Sequence, residues 1–231
     1  MDVEKRYRAA VDKMQETMDS VNFLTHAVEE FSDNVKNGRS IVCGTEVISS
    51  TSMVSRTTDE LFEYLDNILS STYLDLVFQA QFNIFEAALF DMLSMYLKSD
   101  LSLLSPEREL TTGTVLAAGS YENLITEVIH TELNKVAYGS MHKWIKQINK
   151  YLSYKVISDS DLLLLAEMKA TRNLLVHADG VCNKIYLEAS GEKARFKTGD
   201  RVTVDYSYLY HAHLLLSSVL EKVLKAILSK N

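Results

Sequence analysis

A single proline, Pro106, and only eight glycines interrupt 231 residues. These are the residues that end helices and turn strands, so a chain poor in both is constrained toward long helices rather than many short strands. The apolar pattern agrees from the start. Over residues 2–36, Tyr7, Val11, Met14, Met18, Val21, Val28 and Val35 recur near a heptad period, and Asn37-Gly38 supplies a stop. Such a helix either faces a core or makes a coiled-coil or dimer contact, because its apolar stripe is narrow and its polar flanks are broad.

Residues 38–56 are β-branched and Ser/Thr-rich without a helical period, which predicts an irregular connector with room for a short strand. Helix resumes at about Thr57, where "TTDE" resembles a capping box, and runs in one or two pieces to about Lys98. Its part "LDLVFQAQFNIFEAALFDMLSMYL" is apolar almost all round, as a helix buried on most sides must be. Glu86 and Asp91 lie within it and need partners there. Residues 99–119 read as a loop. "SYENLITEVIHTELNKVAY" reads as a helix with Ser120 as a partial cap. Gly139-Ser140 breaks it before "SMHKWIKQINKYL". Asp159 or Ser160 is expected to cap the next helix, which ends at Asp179-Gly180. "KIYLEA" and "RVTVDY" then read as strands of a short hairpin-like insertion around "SGEKARFKTGD", and a last helix covers about Tyr206 to Ser229. The expectation is an all-α helical bundle. Residues 1–56 form a long helix and connector, residues 57–231 form the main helical domain, and the two make one continuous structural unit.

Apolar residues make up 47% of the chain and charged residues 24%, which suits a soluble globular protein. No apolar run approaches the roughly 18 residues of a membrane span, and the charged N-terminus lacks a signal peptide's apolar core. Cys43 and Cys182 fit no metal or redox spacing and read as reduced thiols of a cytoplasmic protein. The formal charge of −7 argues against nucleic acid covering the whole surface but leaves room for a local basic groove. There is no glycine-rich phosphate loop, GxSxG, HExxH or CxxC, so no cofactor or metal is expected. His211 and His213 are two apart on a helix and do not share a face.

The stretch "TRNLLVHADGVCNKIY", residues 171–186, carries chemistry. On a helix Asn173 and His177 lie one above the other and Arg172 flanks them. Histidine moves protons near neutral pH, and arginine forks onto phosphate oxygens. Together they suit binding and cleavage of a phosphodiester. The alternative is structural: Arg172 pairs with a carboxylate and His177 caps the helix C-terminus, where a cation is favoured. In "GEKARFKTGDR", Lys193, Arg195, Lys197 and Arg201 form either a solvated hairpin or a basic lip that guides RNA.

The pattern Arg-Asn-x-x-x-His resembles the signature of the HEPN superfamily (higher eukaryotes and prokaryotes nucleotide-binding). Gly180, Asn183 and Tyr186 hold places found after the histidine in bacterial members. "LITEVIHTELNKVAYGSMHKWIKQI" resembles their preceding helix and Tyr-Gly-Ser turn, and "FEAALFDML" their early core helix, so the likeness covers roughly residues 58–228. It implies a bundle of four or more helices that dimerises so that two motifs meet across a cleft. Many members are metal-independent ribonucleases of toxin–antitoxin, abortive-infection or CRISPR systems. Carried over, His177 is the general acid/base, Arg172 binds the scissile phosphate, Asn173 orients the histidine or the phosphate, and the RNA 2′-hydroxyl is the nucleophile. Glu86, with Asp91 second, would hold Arg172. The implied partners are RNA, a second copy of the chain, and an antitoxin or other defence-system protein, with no membrane. In some members a tyrosine two residues after the histidine is AMPylated. Asp179 stands there, so that route of control is not implied. The competing reading is a HEPN module that dimerises or binds a partner without cleaving RNA, in a regulatory or antitoxin-like role.

Overall fold

The computed structural model describes residues 2–38, 57–104 and 110–230, together with the backbone of 47–48 and 53–54. Helix α1 spans Val3–Lys36 and is started by the Asp2 carboxylate, which accepts the Glu4 amide at 3.0 Å. Its stripe is core-facing as far as Val21: Ala10, Met14, Met18 and Val21 are buried, and no residue beyond Val21 is. Val47–Ile48 (β1) pairs antiparallel with Met53–Val54 (β2), inside the expected connector.

Thr57 and Glu60 form the full capping box of α2, Thr58–Asn67. A π-helical stretch, Ile68–Tyr73, widens the turn and leads without a break into α3, Leu74–Ser99. Helix α3 is the centre of the fold. Its buried residues, Phe78, Phe82, Phe85, Leu89, Met92 and Leu93 among them, are spread around its circumference. They share one core with α1, α5 (Tyr121–Ala137), α6 (Met141–Leu152), α7 (Asp159–His177) and α9 (Tyr206–Leu228). A short helix, α4 (Thr112–Ala118), precedes α5. Buried Gln81 on α3 donates to the Met14 carbonyl at 2.7 Å and the Thr17 hydroxyl at 2.8 Å, and its oxygen faces His213 Nδ1 at 3.3 Å. One satisfied amide thus ties α1, α3 and α9 together. Among the described residues no helix is long and apolar enough to cross a membrane.

Three expectations are corrected. The span 99–119, expected as a loop, contains a 3₁₀ turn at Leu101–Leu103 and helix α4. The cap of α7 is Ser158, whose hydroxyl accepts the Asp161 amide at 3.1 Å, rather than Asp159 or Ser160. The hairpin-like insertion is absent: "KIYLEA" lies in helix α8, Lys184–Ser190. Ile185 and Leu187 suggested alternation, but Asn183 caps the segment, and Tyr186 and Ser190, four apart, are the residues it buries. "RVTVDY" is extended up to the Asp205 cap of α9 without forming a strand. Its one ladder-like contact is an isolated antiparallel bridge between Val181 and Arg201. Cys182 is a buried free thiol, and burial pushes its pKa up; Cys43 lies outside the described residues.

Candidate functional site

The last three turns of α7 form one wall of a cleft of about 680 Å³. Lys169, Asn173 and His177 recur at four-residue intervals along that wall, and Arg172 flanks the stripe. Glu86 of α3, the Ala137–Gly139 turn after α5, and Asn183, Ile185 and Tyr186 of the α8 region complete the lining. The sequence-predicted motif residues are therefore brought together.

Arg172 is held on three sides. Its Nε and Nη2 donate to Asn83 Oδ1 at 3.2 and 2.9 Å, Nη1 donates to Asn173 Oδ1 at 3.1 Å, and Nη2 also reaches Glu86 Oε2 at 3.2 Å. Four of the five guanidinium N–H groups are engaged, which leaves one for a ligand. The side chains of Arg172 and Glu86 are 21% and 26% exposed, so the pair is neither fully buried nor freely solvated. Glu86 is the holding carboxylate. Asp91 is not: it is exposed, points to the opposite side, and binds Arg6 Nε at 2.7 Å. The two differ by five positions, well over one helical turn, so they leave α3 in different directions. Asn83 was missed, although it sits three residues before Glu86 and so on the same face.

His177 closes α7, and its exposed imidazole makes no hydrogen bond with any described residue. It does not cap the helix. The chain turns away sharply behind it, with φ of 49° at Asp179 and 69° at Gly180. Gly180 donates to the Leu174 carbonyl at 2.9 Å, which ends the helix in a left-handed turn that glycine adopts without strain. Asn183 and Tyr186 are structural here. Asn183 caps α8, and the buried Tyr186 hydroxyl donates to Glu167 at 2.9 Å.

Lys169 was also missed. Its ammonium donates to the carbonyls of Ala137 (3.2 Å) and Gly139 (2.7 Å) and stands 3.7 Å from the centroid of the Trp144 ring. It satisfies carbonyls left open at the end of α5 and adds a second cation beside Arg172. Burial pushes its pKa down to about 8; Glu86 opposes the shift and Arg172 adds to it. Gly139 makes the tight turn between α5 and α6 possible, since a Cβ there would meet the Val136 carbonyl at 3.0 Å and Lys143 Cβ at 3.2 Å. A lysine inside an apolar helix pattern carries no sequence signal for such a role.

None of Lys193, Arg195, Lys197 and Arg201 lines this cleft. Arg195 is turned inward. Its Nε donates to Glu167 at 3.0 Å, its Nη1 to the Thr203 carbonyl at 3.2 Å, and its guanidinium lies 3.5 Å from the Tyr208 ring centroid. Glu167, 3% exposed, also accepts from the hydroxyls of Thr171 (2.7 Å), Tyr186 (2.9 Å) and Tyr208 (2.7 Å). Burial and the Glu167 carboxylate raise the Tyr208 pKa well above its usual value. This network fixes the motif helix to the segments after it. Arg201 pairs with Asp179 at 3.6 Å, Lys197 is exposed, and Lys193 is half-buried in a 3₁₀ turn. Among the described residues no three His, Cys, Asp or Glu side chains are grouped as metal ligands. Searches against protein-family models, curated proteins and solved structures find no match for the chain.

Proposed function

We propose that this chain is an endoribonuclease of the HEPN type that cleaves RNA through its 2′-hydroxyl, and that it acts as a toxin or phage-defence effector. One observation carries the reading. An anchored guanidinium, a half-buried ammonium and an unengaged imidazole open onto one cleft. In this reading Arg172 and Lys169 hold the scissile phosphate and offset the charge that develops on it. His177 takes the 2′-hydroxyl proton as that oxygen attacks phosphorus, and a second proton donor protonates the departing 5′-oxygen. The products are a 2′,3′-cyclic phosphate and a 5′-hydroxyl. Asn173 orients Arg172. Because each chain offers one motif imidazole, the proposal includes a homodimer in which a second copy supplies the other proton-transfer group.

A second reading has its own support. Arg172 has only one N–H left for a ligand, and the formal charge is −7, both of which suit a HEPN module that binds a partner without cleaving RNA. Expression of the wild type beside His177→Ala separates the two. Arrested growth and degraded RNA with the wild type alone support the nuclease; identical behaviour of the two proteins supports the binding module.

A further inference from the structure

Between Glu132 and Asp159 the chain holds five lysines and no acidic residue, in a protein of formal charge −7. Lys143, Lys146 and Lys150 occupy one face of α6, spaced at three and then four residues, while Trp144, Ile145, Ile148 and Leu152 bury the other. Lys135 of α5 joins Lys143 and Lys146 around a shallow groove of about 330 Å³. Glu132 also lines it, and its carboxylate is held by the Tyr151 hydroxyl at 3.3 Å.

A row of surface lysines is ordinarily a solvated face, and two features set this one apart. Exposed lysines elsewhere either pair with a carboxylate four residues away, as in Lys155–Asp159, Lys184–Glu188 and Lys225–Glu221, or stand scattered without an ion pair to a described residue, as do Lys5, Lys13, Lys36 and Lys98. Lys135, Lys143, Lys146 and Lys150 are exposed and form no ion pair with any described residue. The face also leads into the motif cleft. The turn at Gly139 joins α5 to α6 and lines that cleft, and a shallow depression containing His142, Lys169 and Asn173 continues from it. At the junction stands Tyr138, 93% exposed and lining the cleft.

We infer that the lysine face of α6, with Lys135 and the Tyr138 ring, is the track along which single-stranded RNA reaches the His177 cleft. The inference rests on the ribonuclease reading above. Unpaired lysines track a phosphate backbone without reading sequence, and an exposed aromatic ring at the cleft mouth stacks an unpaired base. A duplex offers no free base face to Tyr138, so the track favours single strands. It also replaces residues 193–201 as the basic surface, since the Arg195 charge there is consumed by Glu167.

The test measures binding of a fluorescein-labelled single-stranded oligouridylate to the full-length His177→Ala protein across a salt series. Each phosphate contact on a single strand contributes about 0.7 to the salt slope, so adding Lys143→Ala, Lys146→Ala and Lys150→Ala should flatten it by about 2. Tyr138→Ala should weaken binding about tenfold and Tyr138→Phe should not, because phenylalanine keeps the stacking face. An unchanged slope in the triple variant, in a protein whose wild type cleaves RNA, overturns the track and leaves the nuclease standing. Absence of both RNA binding and cleavage overturns both. Competition by polyglutamate as strong as by RNA of equal charge overturns RNA as the occupant in favour of an acidic protein.

Discussion

Glu86 and Arg172, 86 positions apart in sequence, meet at 3.2 Å across the α3–α7 packing. Core packing of these helices sets the distance, and the ion pair sets the direction of the guanidinium. Glu86→Gln keeps an oxygen but loses the charge. With both side chains about a quarter exposed, the expected cost is about 1–2 kcal/mol. For a chain of this size that lowers Tm by roughly 2–8 °C. RNA cleavage should fall about tenfold or more as Arg172 loses its aim. Calorimetry and a cleavage assay check the two halves separately. Asp91→Asn, which touches only the Arg6 pair, should leave cleavage unchanged.

The parts of this site that were legible in the sequence are those set by local rules. Arg172, Asn173 and His177 share a helix end, so their spacing alone puts them together. Glu86 could be named because a carboxylate in an apolar helix must find a partner. Asp91 satisfied the same rule and failed, because the direction of a side chain around α3 depends on which helices pack there. Lys169 was illegible for a related reason: its partners are backbone carbonyls of a turn 30 or more residues earlier. The supposed hairpin reflects the weakness of short alternating patterns. Six residues fit either period, and the Asn183 cap with the burial of Tyr186 decided for helix. The long helices were clear from their apolar periods and scarce breakers.

Lys169 makes alkaline pH informative. Its folded pKa of about 8 lies below the ordinary 10.5. Between those values the unfolded chain binds the extra proton, so this group makes stability rise with pH above about 8. Cys182, raised by burial from 9.0, acts with the opposite sign from about pH 9, and Tyr96, Tyr186 and Tyr208, also raised by burial, do so from about pH 10. The Lys169 contribution is therefore read as the difference between wild type and Lys169→Met. The rise over pH 8–10 should be smaller in Lys169→Met. RNA affinity of the His177→Ala protein should fall over the same interval as the ammonium is lost, and Lys169→Arg should abolish that fall. A Lys169→Arg protein with the same pH profile would remove Lys169 from phosphate binding.

Arg195 is expected to matter for stability rather than for RNA. Arg195→Ala leaves the buried Glu167 charge with hydroxyl partners only, and breaking such a pair costs about 3–5 kcal/mol. Lys197→Ala, on the exposed side of the same segment, should change stability by less than about 0.5 kcal/mol. Urea denaturation of the two variants distinguishes them. Equal stability would mean that the Glu167 network does not bear on the fold.

The proposed homodimer has a direct test. Light scattering at micromolar concentration should give the mass of two copies of the 26.1 kDa chain. A monomer that cleaves RNA at full rate would place both proton transfers within one chain and make Lys169 the second donor.

If His177 and Arg172 cleave RNA through its own 2′-hydroxyl, the ends of the products record it. Purified protein is incubated with RNA in excess EDTA, beside His177→Ala and a substrate with the scissile 2′-hydroxyl blocked. The wild type should leave 2′,3′-cyclic phosphate and 5′-hydroxyl ends. His177→Ala should remain folded and lose about 10²–10⁴-fold, and the blocked substrate should not be cleaved. Cleavage that requires added magnesium, or that persists undiminished in His177→Ala, would contradict this mechanism.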